Sequence, residues 1–178
     1  MWPPQMLQYE PEFNAFVDLL LDVGARSYLE IGCKFGGTLW RVGMALPNGS
    51  MCVGVDFPRA PEASSYHSMR SVIRRLQDAG RECTVVWGDS TDRKVIDKVR
   101  SLGPFDACFI DANHSRPYVE KDWMNYGQMA TKVVAFHDIC WQKSGVPKFW
   151  DETKAGHHYS ELRYDPGGAN NGIGVIYK

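Results

Sequence analysis

At 178 residues, 44% of them hydrophobic, and with a formal net charge of −1, the chain has the length and apolar content of one compact domain with a full core. The near-neutral balance gives no electrostatic footprint for bulk attraction to nucleic acid or to an anionic membrane. No apolar run approaches the ~18 residues that a membrane span needs. Residues 1–5 lack the basic start and apolar middle of a secretory leader. Five cysteines without paired spacing point to reduced thiols in a cytoplasmic protein rather than to disulfides or zinc.

Apolar residues at Phe13, Phe16, Val17, Leu19, Leu20 and Leu21 predict a helix over 10–23, stopped by Gly24. A short strand over 28–31 then runs through Gly32, Gly36 and Gly37 into a helix that begins at Thr38 and reaches about residue 46. After the turn Pro47-Asn48-Gly49 comes a buried-type strand over 51–57 that carries Asp56 near its end. Residues 58–66 read as a loop, and Met69, Val72, Ile73 and Leu76 predict a helix up to Gly80. Arg70, Arg74, Arg75 and Arg81 would form its solvated face. Strands over 83–87, 105–111 and 132–138 alternate with helices over 95–102 and 118–126. A short helix over 146–153 and two strands over 159–164 and 172–177 finish the chain. Alternation of this kind implies a doubly wound, mostly parallel α/β sheet with its ligand edge at the carboxyl ends of the strands. The last two strands, joined by too short a link for a helix, predict an antiparallel edge pair.

Three groups of residues carry candidate chemistry. A strand that turns through glycines into a helix lets a ligand lie against bare backbone at the positive end of the helix dipole. Here the loop is Glu30-Ile31-Gly32-Cys33-Lys34-Phe35-Gly36, which is not the Gly-x-Gly-x-x-Gly of dinucleotide folds; the plainer reading is a tight corner. Asp56, about twenty residues further on, can accept hydrogen bonds from two ribose hydroxyls as in dinucleotide folds, or simply cap a turn. Asp111, His114, His137 and Asp138 would bring two carboxylates and two imidazoles to one sheet edge. That set suits a divalent ion such as Mg²⁺, and a nearby histidine can accept a proton at working pH. His137, lying on the predicted strand, would face away from Asp138 unless the strand ends there.

In order, Leu29-Glu30-Ile31-Gly32, Val53-Gly54-Val55-Asp56, Gly88-Asp89-Ser90, Phe109-Ile110-Asp111-Ala112-Asn113-His114 and Ala135-Phe136-His137-Asp138 resemble the motifs of class I S-adenosylmethionine (SAM) methyltransferases. The closest likeness is to small O-methyltransferases, the subgroup of macrolide-sugar O-methyltransferases and cephalosporin hydroxylase-like proteins. This resemblance implies a Rossmann-like, seven-stranded sheet whose last strand inserts antiparallel between the fifth and the sixth. It implies one domain over 1–178, with an N-terminal helix (1–24), a cofactor-binding core (25–138) and a C-terminal part (139–178). Glu30, Gly32, Cys33, Lys34, Gly36, Asp56, Asp89, Ser90 and Asp111 would contact SAM, with Asp89 at the position that reads the adenine edge. Asp111 and Asp138, with His137 beside them, would hold Mg²⁺, and His114 would be the base. The chain departs from metal-dependent relatives in having His137 where the first acid of the fifth-strand pair stands, and Ile139 where catechol-type enzymes carry an asparagine. The implied reaction is methylation of a hydroxyl on a small molecule or sugar, without a membrane; homo-oligomerisation stays open. A non-catalytic SAM-binding module is the alternative, as is a methyltransferase acting on protein or nucleic acid. Against nucleic acid stand the neutral charge and Asp111-Ala112-Asn113-His114 where amino-group DNA methyltransferases carry Pro-Pro. Trp141, Phe149 and Trp150 are aromatic enough to stack on an acceptor or to pack a helix, and His157-His158 reads as an exposed loop.

Overall fold

The computed structural model describes residues 4–57, 63–164 and 171–178, with side chains of the third helix described from Ser65 onward. The elements are α1 (Glu10–Asp22), β1 (Ser27–Ile31), α2 (Gly37–Ala45), β2 (Met51–Asp56), α3 (Ala63–Asp78), β3 (Glu82–Trp87), α4 (Arg93–Arg100), β4 (Phe105–Ile110), α5 (Arg116–Tyr126), β5 (Ala130–Phe136), α6 (Val146–Lys154), β6 (Tyr159–Leu162) and β7 (Ile173–Tyr177). They form one seven-stranded sheet in the order β3-β2-β1-β4-β5-β7-β6. The first five strands are parallel, and β7 pairs antiparallel with both β5 and β6. Both expectations for the chain's end, the antiparallel pair and the insertion of the last strand, hold.

Period-two alternation sends each strand's side chains into two separate cores. From β1, Tyr28 enters the layer built by α1, α2 and α3, while Leu29 and Ile31 enter the layer built by α4, α5 and α6. A sheet covered on both faces explains why the strands read as continuous apolar runs. In the first layer Phe109 of β4 lies against Phe13 and Phe16 of α1, with ring centroids 5.8 and 5.1 Å apart. Truncating such a ring to alanine removes about 3–5 kcal/mol. In the second, Phe149 and Trp150 are buried against Phe136, so these two aromatics pack the core and do not face an acceptor.

Two boundaries differ from the sequence expectation in ways that matter. The third helix begins at Ala63, not near Met69, because tertiary contact overrides the serine-rich composition: Tyr66 packs on Trp87 with ring centroids 4.9 Å apart. Of the expected loop, residues 58–62 lie outside the described residues. The fifth strand ends at Phe136, which leaves His137 and Asp138 in the turn beyond it. Of the four arginines, Arg75 lies over the Trp40 ring at 5.0 Å, and Arg81 caps α2 by donating to the carbonyls of Gly43 and Leu46. All five cysteines are free. No helix among the described residues is long and apolar enough to cross a membrane.

Candidate active site

Because β1 sits between β2 and β4, the chain reverses its winding at β1, and the carboxyl ends of the strands open a crevice there. A cavity of about 760 Å³ occupies it. Gly32, which has φ +95°, lies so close to β4's exit that an added Cβ would sit 2.6 Å from the Ala112 Cα; only glycine fits. Lys34 is held at φ +47°, a left-handed conformation uncommon for a side chain of its kind. Its backbone N–H donates to Asp56 Oδ2, so the carboxylate that ends β2 pins the loop. Lys34, Asp56, Asp89, Ser90 and Asp111 all line the cavity, as do Gly32 and Cys33.

Two loop residues expected at the cofactor lie elsewhere. Glu30 shares the inward face of β1 with Tyr28 and is fully buried. It accepts hydrogen bonds from Tyr28 Oη at 2.7 Å and Thr38 Oγ1 at 2.5 Å. Burial pushes its carboxyl up to about 8, against the pull of those two hydroxyls. Gly36 caps the start of α2 and faces Met69 and Val72 of α3. Cys33 offers the cavity its backbone, while its thiol turns back toward the carbonyls of Glu30 and Val55. Asp89 lines the cavity, but its Oδ1 accepts from the backbone N–H and hydroxyl of Thr91 at 2.8 and 2.7 Å. The Ser90 carbonyl accepts from Tyr126 Oη at 2.7 Å.

On the other side of the crevice four side chains converge. Asp138 adopts φ +61°, which breaks the strand alternation and lets consecutive residues His137 and Asp138 reach one cluster. His137 Nδ1 lies 3.3 Å from Asp111 Oδ1 and 3.2 Å from Asp138 Oδ1. His114 Nε2 lies 3.3 Å from Asp111 Oδ1, and its Nδ1 lies 3.3 Å from Asp138 Oδ2. Burial opposes charge on His137, yet Asp111 and Asp138 outweigh it and push the imidazole up to about 10. Burial likewise opposes ionisation of Asp111, but His137 and His114 hold its carboxyl well below the usual range. His114 is raised chiefly by its hydrogen bond to Asp111; at 31% side-chain exposure against 8% for His137, it is the imidazole an incoming molecule meets. The set whose ligand atoms lie within 4.8 Å of one another is Asp111, His114 and Asp138. The expectation had His137 in the place that His114 takes in this set.

Several lining residues carry no sequence signal: Gln5, Met6, Leu7 and Gln8 ahead of α1, and Phe57 after β2. Tyr118 also lines the cavity. Trp141 stands edge-on to His114, centroids 5.1 Å apart. His157 and His158 lie outside the cavity, against Trp123 and Tyr177.

No family model matches the chain, and no curated relative does. Solved structures do. An O-methyltransferase from Bacillus cereus in complex with SAH has a TM-score of 0.74 at 18% identity, over 99% of this chain and 84% of that one. The O-methyltransferase TomG from Streptomyces achromogenes, involved in tomaymycin synthesis and solved with SAM, gives 0.73 at 19% identity, over 95% and 80%. A putative caffeoyl-CoA O-methyltransferase from Staphylococcus aureus gives 0.73 at 11% identity, over 98% and 86%. At this level of identity the likeness concerns the backbone: the described residues have the Rossmann-like α/β fold of the O-methyltransferases.

Proposed function

We propose that the protein transfers the methyl group of SAM to a hydroxyl of a small molecule or sugar. The observation that carries the reading is one cavity with two unlike walls: a glycine loop pinned to Asp56, and, across from it, two carboxylates interleaved with two imidazoles. The first wall suits the adenosine and amino-acid parts of the cofactor; the matched structures solved with SAH or SAM support this assignment. The second suits removal of a proton.

In the transfer, the acceptor oxygen attacks the methyl carbon, the carbon–sulfur bond breaks, and sulfur leaves as a neutral thioether. A neutral hydroxyl attacks poorly, so its proton must go to a base. His114 is that base: it is the more exposed imidazole, and Asp111 and Asp138 on either side stabilise the imidazolium it becomes. His137 is pushed up to about 10 and stays protonated at neutral pH; it balances the two buried acids. Because the His114 pKa is raised, the rise of activity with pH should lie above the ordinary histidine value of ~6.5.

Two carboxylates and one imidazole also fit a divalent ion such as Mg²⁺. Asp111, Asp138 and His114 would hold it, and when bound such an ion would lower the pKa of an acceptor hydroxyl. The convergence of these atoms favours this as a second arrangement, in which His114 is a ligand and not a free base. Turnover after chelation separates the two. Full activity in chelator leaves His114 working alone, and loss restored by Mg²⁺ makes it a ligand. Neither arrangement survives if SAM binds but no methyl group is transferred to any hydroxyl acceptor in a broad panel.

A further inference from the structure

The segment before α1 reaches the site from outside the sheet. Gln5 and Met6 lie against Gly37 at the start of α2, so close that an added Cβ there would meet the Gln5 carbonyl and sit 2.7 Å from the Met6 Cα. Residues Gln5 to Gln8 then line the cavity. The segment ends in a bond between residues 103 positions apart, with Gln8 Nε2 donating to Asp111 Oδ2. The Gln8 Oε1 accepts from the Leu7 N–H at 3.2 Å, which fixes the orientation of the amide. Asp111 thus has His114 and His137 on Oδ1 and Gln8 on Oδ2.

We propose that residues 5–8 form a strap across the bound cofactor, which Gln8 fastens to the Asp111 carboxylate. The proposal rests on the SAM-binding reading given above. A carboxylate gripped on one oxygen by an amide cannot rotate, so its other oxygen stays aimed at the two imidazoles. The bond ties this segment, whose Met6 packs on the first core layer, to the reacting end of the cavity, so closing the strap and setting the geometry of Asp111 are one event. A strap that touches only the loop would cover the ligand without affecting Asp111.

Hydrogen exchange of residues 5–8, measured on the full chain with and without SAH, tests this. In the wild type, SAH should slow exchange there. Gln8→Ala should speed it about tenfold or more, the scale of a lost hydrogen bond to a charged group. Gln8→Glu, which keeps the shape but sets a like charge beside Asp111, should do the same or more. Asp111→Asn should loosen the strap as well, and Gln8→Ala added to it should have little further effect. Additive effects of the two substitutions would mean that the strap is held by other contacts and would overturn the proposal. So would SAH binding that leaves exchange at 5–8 unchanged. Absence of SAH binding by the wild type, read by calorimetry on the same sample, would instead overturn the functional reading and this proposal with it.

Discussion

Glu30 and Asp111 are both buried carboxyl groups, one on β1 and one just past the neighbouring β4, yet they sit in opposite states. Glu30 is met by two hydroxyls, and burial pushes it up to about 8. Asp111 is met by two imidazoles and an amide, and stays ionised in spite of burial. Burial penalises the charged form in both places; neutral donors offset part of that penalty, whereas a neighbouring positive charge reverses it. The same side-chain chemistry therefore becomes a neutral strut between β1 and α2 in one place, and in the other an anion that can hold a metal or a protonated base.

Around Asp111 the largest effect on the chemistry belongs to His114. Removing a general base typically lowers turnover ~10²–10⁴-fold. His114→Ala should fall in that range in a methyl-transfer assay while SAM affinity stays nearly unchanged. An effect below tenfold would remove His114 from the chemistry.

Next in size is His137→Ala, whose loss should fall on the fold. It leaves two buried carboxylates without their balancing cation, a change that typically costs about 3–5 kcal/mol. Denaturant unfolding at neutral pH reads it. The sign with pH follows from a folded pKa of about 10 against an ordinary 6.5. The stabilisation is fully present below about 6.5 and fades as pH rises towards 10. The wild type should lose stability across that window, and the variant should lose less.

Smallest is Glu30→Gln. Glu30 favours the folded state in its neutral form, so its contribution declines as pH climbs from the ordinary 4.5 to about 8. The variant should flatten that decline in unfolding measurements. Because Glu30 faces Tyr28 and Thr38 and not the cavity, SAM affinity should change by no more than about 0.5 kcal/mol. A larger loss would return Glu30 to the cofactor site.

Much of the fold and of the site was legible in the sequence, and the gaps have physical causes. Alternating strands and helices fixed the sheet and its active edge, and acids at successive strand ends marked Asp56, Asp111 and Asp138. Glu30 was misplaced because a motif was read without its register: Tyr28 and Glu30 are two residues apart and so share the inward face of β1. The meeting of His137 with Asp138 was expected from their shared sheet edge, but the means was not: it depends on β5 ending at Phe136 and on the left-handed turn at Asp138, which nothing in Phe136-His137-Asp138 announces. Gln8 was invisible for a different reason: its partner stands 103 positions away, and no local pattern reports such a contact.

Calorimetric titration of SAM into wild-type protein and Asp56→Ala shows most plainly whether the glycine loop and Asp56 form a SAM site. One binding site is expected in the wild type and a loss of about 1.5–3 kcal/mol in the variant, the scale of hydrogen bonds to a charged group. No binding by the wild type, or equal affinity in the two proteins, would contradict it.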